Sequence, residues 1–277
     1  MTRRVWMAGG LLASGFALAL PVPRRYTFRV LGLLHPCRLL IWPQPPSHLL
    51  LETALGSQSL EGSQSCSITA ADAPVAITSG DGQACDFVLE IPGVLRRRYR
   101  GALRILSQAD ELIPLVTMDS ETAVSSITGA ELPVIGAPRE ALMAQAVVAR
   151  SFLIAAAPRH TGYDFCDTTH CQVLRSPAAA DSLVDRAIRS TSGLTLENQG
   201  AVFPCRYSAA CGGHTDRREE LGYRYESVEC EGCLLHHYAR RGHGLGLCQE
   251  GALYLARKGW SYERILALYL PGARVTA

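Results

Sequence analysis

The chain has 277 residues, of which 27 are basic and 25 acidic, so its formal net charge is only +2. This balance excludes a protein built around a strongly basic surface for nucleic acid, and we predict no nucleic-acid partner. Hydrophobic residues make up 48% and charged residues 19% of the chain, which excludes wholesale disorder and supplies a packed core. The one dense basic run, residues 96–100, is more simply explained as the solvated face of a strand.

The first 25 residues predict export. Two Arg precede an uncharged, largely apolar stretch over residues 5–23, and Arg24 and Arg25 follow it, as in a signal peptide. The small residues at 17–19 offer a cleavage site, whereas Pro21 and Pro23 favour an uncleaved membrane anchor. A buried helix is the alternative, but the glycines of the stretch and its proline-rich end disfavour it. We therefore predict a location in the periplasm or on the outer face of the cytoplasmic membrane, with membrane contact only through this segment.

Short apolar runs broken by Pro and Gly follow, and they predict strands at 28–34, 39–42, 74–78, 87–91 and 112–116. The stretch 52–65, rich in Ser, Gly and Gln, predicts a loop. After residue 120 the pattern becomes helical. It is clearest over 138–157, with Pro138 as first helical residue and one face formed by Leu142, Ala146, Ala149 and Leu153.

Further helices are predicted at 180–189, 247–258 and 262–270, with a hairpin over 194–207 whose tip is Asn198-Gln199-Gly200. The sum predicts an α+β protein, with strands first and helices packed on them later. We divide it into the segment 1–25, a strand-rich part over 26–118 and a helix-rich core over 119–277.

Glu131 is the only charged residue between Glu121 and Arg139. Burial of a carboxyl group in such an apolar setting would raise its pKa, as a general acid at neutral pH requires. An exposed loop glutamate is the simpler alternative from composition alone.

Two histidines and two cysteines lie within twelve residues: His160, Cys166, His170 and Cys171. This set of ligands suits tetrahedral zinc, whereas a disulfide between Cys166 and Cys171 is the alternative in an exported protein. The later pair Cys230 and Cys233 also has a spacing typical of zinc ligands, and a redox pair is the alternative. The sequence does not indicate partners for Cys205, Cys211 or Cys248.

Two glycine-rich segments, 211–215 and 242–249, let the backbone approach a ligand closely. A dinucleotide loop is disfavoured because the second segment reads Gly-x-Gly-x-Gly and no buried strand precedes it. His243 within it would more often be a structural residue than a catalyst.

Six ordered blocks of the sequence carry a resemblance to a known family. They are Thr128-Gly129-Ala130-Glu131-Leu132-Pro133, residues 140–150, residues 166–172, Tyr207-Ser208-Ala209-Ala210-Cys211-Gly212-Gly213-His214-Thr215, residues 242–252, and residues 265–272. Together they resemble the stage II sporulation protein D family, also called the SpoIID/LytB or amidase-enhancer family, whose members remodel bacterial peptidoglycan.

The resemblance implies a SpoIID-like fold and a lytic transglycosylase that cuts the β-1,4 bond between N-acetylmuramic acid and N-acetylglucosamine in denuded glycan strands. It implies that Glu131 is the catalytic acid and base, and that one carboxyl suffices because the muramoyl 6-hydroxyl closes a 1,6-anhydro ring. It also implies Zn²⁺ on His160, Cys166, His170 and Cys171. The implied substrate-binding residues are Gln172, Ser208, Gly212, Gly213, Thr215, His243 and Gln249.

The sequence departs from the family where only 26 residues separate Thr215 from Gly242, a stretch that is longer in many relatives. The shortening could leave the glycan groove open, and Cys230 and Cys233 could staple it. Peptidoglycan is thus the expected partner. The alternatives are a catalytically silent wall-binding module that enhances a cell-wall amidase, and a disulfide-rich structural domain at the cell surface.

Overall fold

The computed structural model describes residues 24–32, 34–44, 48–79, 84–132, 135–157, 159–220 and 222–277. The predicted export segment therefore lies almost entirely outside the described residues. Within the described ranges, no helix is both long and apolar enough to cross a membrane.

The N-terminal half is built of strands, as predicted. They are β1 (Arg25–Arg29), β2 (Arg38–Pro43), β3 (Leu49–Thr53), β4 (Gly56–Leu60), β5 (Cys66–Thr69), β6 (Val75–Ser79), β7 (Cys85–Ile91), β8 (Leu95–Gln108) and β9 (Glu111–Asp119), with a 3₁₀ turn at Ala70–Asp72.

The strand β8 is shared between two sets of partners. Its first half, up to Gly101, pairs with β7, which continues to β2 and β5. Its second half pairs with β9 on one side and β6 on the other, and β6 leads to β3 and β4. The change of partner falls at Gly101, which has φ of 151°. A Cβ there would lie 2.5 Å from the carbonyl oxygen of Thr117, so only glycine fits this crossing.

We expect Gly101→Ala to lower the free energy of unfolding by about 1–3 kcal/mol, because the added methyl group overpacks the strand crossing. Urea unfolding measures the change. Gly129→Ala is the matched control, since nothing lies within 4 Å of a Cβ at that position in a helix. It should stabilise the chain by about 0.5–1 kcal/mol, and equal effects of the two variants would contradict the expectation.

The remaining elements form the C-terminal half. The helices are α1 (Ser120–Glu131), α2 (Arg139–Ala155), α3 (Leu183–Ser190), α4 (Glu231–Leu235), α5 (Gln249–Arg257) and α6 (Tyr262–Tyr269). The strands are β10 (Phe165–Cys166), β11 (Thr195–Asn198), β12 (Ala201–Val202), β13 (Tyr207–Ser208), β14 (Arg218–Glu220), β15 (Tyr223–Tyr225), β16 (Leu247–Cys248) and β17 (Arg274–Thr276).

Helix α2 forms the centre of the helical part. It packs against α1, α3, α5, α6 and β11, so every residue from Ala141 to Leu153 is buried rather than one face alone. Inside it, the Arg150 guanidinium is 1% exposed and is held by both carboxylate oxygens of Glu121, at 2.8 and 2.7 Å. Pro138 is the N-cap residue of α2 and not its first helical residue, because its extended ψ of 146° lies outside the helix.

The two halves share one sheet. Strand β1 lies between β9, to which it is antiparallel, and β10, to which it is parallel. The large aromatic rings of Phe28 and Phe165 pack at 5.5 Å in this region. The protein is therefore a mixed α and β structure in which the strand-rich N-terminal part is continued by the C-terminal part.

One predicted loop is wrong. Residues 52–65 contain the end of β3 and all of β4, which form a hairpin with Thr53 opposite Gly56. The polar composition misled the prediction because β4 is an edge strand whose first four residues are exposed. Exposed positions of an edge strand tolerate Ser, Gln and Gly as a loop does.

Candidate functional site

Glu131 is the last residue of α1. The helix begins at the N-cap Asp119, whose carboxylate accepts a hydrogen bond from the backbone N–H of Thr122 at 2.9 Å. Its C-cap is Leu132, which has extended angles and precedes Pro133 in the sequence; a residue before proline disfavours helical angles. The carboxyl group of Glu131, at the end of α1, thus lies beside Val173, Tyr207 and Gln249.

The surroundings of Glu131 favour a carboxyl group that can hold a proton. Burial raises its pKa above the ordinary 4.5. Three donors act in the opposite direction: the backbone N–H of Val173, 2.9 Å from Oε1, and the side chains of Tyr207 and Gln249. Burial outweighs these donors, so the net effect favours the protonated carboxyl group relative to an exposed glutamate.

The Glu131 carboxyl group opens into a cleft with a volume of about 260 Å³. Its lining residues are Glu131, Phe152, Thr169, His170, Cys171, Gln172, Cys205, Arg206, Tyr207, Ser208, Ala209, Arg241, Gly242, His243 and Gln249. Glu131 is the one carboxylate among these described lining residues. The other lining side chains are apolar, neutral polar or basic.

One wall of the cleft is the parallel pair of β13 and β16. Tyr207 lies opposite Leu247, and Ser208 lies opposite Cys248. The glycine-rich segment before β16 makes this pairing possible, since a Cβ on Gly246 would lie 2.1 Å from the carbonyl oxygen of Arg206. Gly246 therefore serves close packing of backbone on backbone, whereas a Cβ on Gly244 would meet the side chain of Arg240.

Four of the seven predicted substrate-binding residues line the cleft: Gln172, Ser208, His243 and Gln249. The Tyr207 hydroxyl, which has a single proton, lies within hydrogen-bond reach of both the Gln172 oxygen and the Glu131 carboxyl group, so it donates to one of them at a time. Gln249 donates to Gln145 at 3.3 Å in the floor. The Ser208 hydroxyl is buried with no hydrogen-bond partner among the described residues.

The ring of His243 is oriented by its own backbone. Its Nδ1 accepts a hydrogen bond from the N–H of Leu245 at 3.0 Å, so the neutral ring carries its proton on Nε2. Burial, helped by the positive charge of Arg206, lowers the pKa of His243 and favours this neutral form. His243 can then donate to an oxygen of a ligand in the cleft.

The other three, Gly212, Gly213 and Thr215, do not line the cleft. The Thr215 hydroxyl is turned inward, where it donates to the carbonyl of Glu226 at 3.0 Å and accepts from the N–H of Val228 at 2.8 Å. A Cβ on Gly213 would lie 2.8 Å from Leu234. In this structure these residues support the wall behind β13, and contact with a glycan stays a prediction for them.

The sequence cluster of histidines and cysteines lies together in space. The ligand atoms of His160, Cys166, His170 and Cys171 are all within 4.8 Å of one another. Nδ1 of His170 lies 3.6 Å from Sγ of Cys166 and 3.3 Å from Sγ of Cys171, and Nε2 of His160 lies 3.2 Å from the latter.

These residues fit a zinc ion. Tetrahedral Zn–S and Zn–N bonds place sulfur and nitrogen about 3.5 Å apart, close to the observed separations. Cys166 and Cys171 are free thiols in the structure. His160 is further held by stacking on Tyr163 at 4.5 Å. With four protein ligands the ion would have a structural role, and zinc at this place stays a prediction.

Asp167 joins the cluster to the rest of the site. Its side chain is fully buried and accepts from Arg97 at 3.0 Å, Arg175 at 3.1 Å, the Tyr99 hydroxyl at 3.2 Å and the N–H of Leu174 at 2.8 Å. Asp167 therefore fixes the loop that follows it. This loop carries the predicted zinc ligands His170 and Cys171 and also Val173, whose N–H donates to Glu131.

Sequence reasoning missed a second cluster and an important tyrosine. Cys211, Cys230, Cys233 and Cys248 form a buried group of four thiols that could bind a metal. The spacing of Cys230 and Cys233 indicated part of this cluster, but the sequence did not indicate that Cys211 and Cys248 belong to it. Tyr207 stood in a quoted motif without a role, although it borders Glu131.

A known protein family matches the segment of the chain that contains several of these residues. Residues 108–197, which include Glu131 and the His160 to Cys171 cluster, match the model of the family described as "SpoIID: Stage II sporulation protein". This segment of the chain is thus similar to a SpoIID domain, and the match supports a role related to the cell wall.

A protein of Brachyspira hyodysenteriae with the name "Uncharacterized protein" is 29% identical over 126 residues. The alignment covers 44% of this chain and 34% of the relative. This chain thus spans about a third of that relative.

Proposed function

We propose that this protein is an exported lytic transglycosylase that cleaves the β-1,4 bond between N-acetylmuramic acid and N-acetylglucosamine in peptidoglycan glycan strands. The observation that carries the proposal is Glu131, a buried carboxyl group with a raised pKa and the single carboxylate among the described residues of the cleft. Hydrolytic glycosidases use a pair of carboxylates. A single one suits a reaction in which the substrate supplies its own nucleophile.

In this mechanism the protonated Glu131 donates its proton to the glycosidic oxygen, and the bond from that oxygen to C1 of the muramoyl residue breaks. The carboxylate then takes the proton of the muramoyl 6-hydroxyl, whose oxygen bonds to C1 and closes the 1,6-anhydro ring. Glu131 ends protonated, so protons balance without water.

The neighbouring side chains serve these two states. The N–H of Val173 and the side chains of Tyr207 and Gln249 stabilise the carboxylate after the first transfer. Burial raises the pKa of Tyr207 well above 10, and the negative charge of Glu131 acts in the same direction. The Tyr207 hydroxyl therefore stays a neutral donor. A zinc ion, if bound by His160, Cys166, His170 and Cys171, would supply rigidity to the adjoining wall.

The test is mass spectrometry of denuded glycan strands after incubation with the full chain. Products that end in 1,6-anhydromuramic acid would support the proposal. Products with reducing ends would identify a hydrolase, and intact strands that still bind a folded protein would identify the alternative, a silent module that enhances an amidase. Either of these last two results would overturn the proposed reaction.

The pH dependence of cleavage follows from the raised pKa of Glu131. Because the protonated form starts the reaction, we expect kcat/KM to fall as the pH rises through this pKa, so the falling limb should lie above pH 4.5. Tyr207→Phe removes a donor that favours the carboxylate, and should move this limb to higher pH. An unmoved limb would contradict the contact between Tyr207 and Glu131.

A further inference from the structure

Four cysteines that are far apart in the sequence meet in the interior of the C-terminal half. Cys211 follows β13, Cys230 and Cys233 lie at the N-cap and third residue of α4, and Cys248 ends β16. Each is no more than 1% exposed. Their Sγ atoms lie within 4.8 Å of one another.

The spacing of the four sulfurs suits a single metal ion. The Cys248 sulfur contacts those of Cys211 and Cys230, and it lies 3.5 Å from that of Cys233. Tetrahedral Zn–S bonds place sulfurs about 3.8 Å apart, whereas a disulfide needs about 2.0 Å and joins its sulfurs only in pairs. One ion fits a space of this size; a cluster of several irons, which spreads its thiolates over separate metals, does not.

Hydrogen-bond donors point at these sulfurs. The N–H of Cys211 lies 3.3 Å from Sγ of Cys248, the Tyr269 hydroxyl lies 3.2 Å from Sγ of Cys230, and the N–H of Cys233 also donates to Cys230. Donors of this kind stabilise the negative charge of metal-bound thiolates and fix their orientation.

The backbone around the group is shaped to admit it. A Cβ on Gly251 of α5 would lie 1.9 Å from the Tyr269 hydroxyl and 2.5 Å from Sγ of Cys230. A Cβ on Gly232 of α4 would lie 2.7 Å from Cβ of Tyr254. Helices α4 and α5 therefore approach closely at this point because both carry glycine.

We propose that Cys211, Cys230, Cys233 and Cys248 bind one structural Zn²⁺, separate from the predicted site at His160, Cys166, His170 and Cys171. The ion ties the short stretch 216–241 to β16 and α5. Cys248 immediately precedes Gln249, which contacts Glu131, so the ion also fixes the cleft wall. The proposal does not depend on the reaction that the cleft performs.

The experiment measures zinc per chain by plasma mass spectrometry on the full chain, purified without chelator. Cys233→Ser should lose one zinc ion relative to the parent, and Cys37→Ser, which replaces an exposed cysteine, should lose none. Cys166→Ser reports the other cluster independently and should leave the zinc of the four-cysteine cluster in place. After exchange with Co²⁺, Cys166→Ser should show the visible absorption of a tetrahedral cobalt thiolate.

Three results would overturn the proposal. The first is a parent protein with no zinc, and the second is a zinc content unchanged by Cys233→Ser. The third is an intact mass lower by four hydrogens, which would indicate two disulfides. Should Cys233→Ser not fold, the cobalt spectrum of Cys166→Ser decides alone, because a spectrum without thiolate absorption then contradicts the site.

Discussion

Replacing Glu131 by Gln is expected to lower the rate of glycan-strand cleavage by about 10²–10⁴-fold, the usual contribution of general acid–base catalysis. The same carboxyl group serves both proton transfers in the proposed reaction, so neither step retains its catalyst. Glutamine keeps the size and an oxygen that accepts from the N–H of Val173. Release of anhydro-ended products over time measures the loss.

The matched control is Glu52→Gln, an exposed glutamate on β3 near the opposite end of the sheet from β10. It should cleave strands at the parental rate. Equal binding of strands by Glu131→Gln and the parent would show that the fold survives. Cleavage by Glu131→Gln at the parental rate would remove Glu131 from the reaction.

Replacing Asp167 by Ala is expected to lower the free energy of unfolding by about 3 kcal/mol. Removal of one partner from a buried ion pair usually costs about 3–5 kcal/mol, because the other charge stays uncompensated. The lower end applies because Arg97 and Arg175 reach water with 21% and 43% of their side chains exposed. The shift of the urea midpoint measures the effect.

Asp181→Asn is the control for this variant. Asp181 forms an ion pair with Arg189 at the surface, with its side chain 80% exposed, so its loss should leave the midpoint almost unchanged. Asp167→Ala should also reduce cleavage, because the loop between Asp167 and Leu174 carries the N–H of Val173. A midpoint shift no larger than that of Asp181→Asn would contradict the role of Asp167 as the anchor of this loop.

Local patterns in the sequence were sufficient for much of the secondary structure. The helical periodicity of α2 and the turn residues Gln199 and Gly200 between β11 and β12 depend on neighbours in the chain, and both elements occur where predicted. The edge strand β4 was missed because its exposed polar side chains carry no apolar alternation.

The candidate site was accessible from the sequence only where its residues are near one another or match family motifs. The residues His160, Cys166, His170 and Cys171 are close together in the sequence, and the structure brings their side chains together. Cys211 and Cys248 are brought to Cys230 and Cys233 by the pairing of β13 with β16, by the packing of α4 on α5 and by the hydrogen bond from the N–H of Cys230 to the carbonyl of Gly213. Such contacts arise from tertiary structure, which spacing alone does not encode.

The position of β1 between β9 and β10 limits how the chain can be divided. A fragment that starts at residue 119 would lack β1, leaving the edge of β10 and the ring of Phe165 without their partners. Cys166 would then stand on an unpaired strand, and Asp167 would lose Arg97 and Tyr99. The helix-rich part therefore depends on β1 and β8 for its packing, and we expect a fragment of residues 119–277 not to fold by itself.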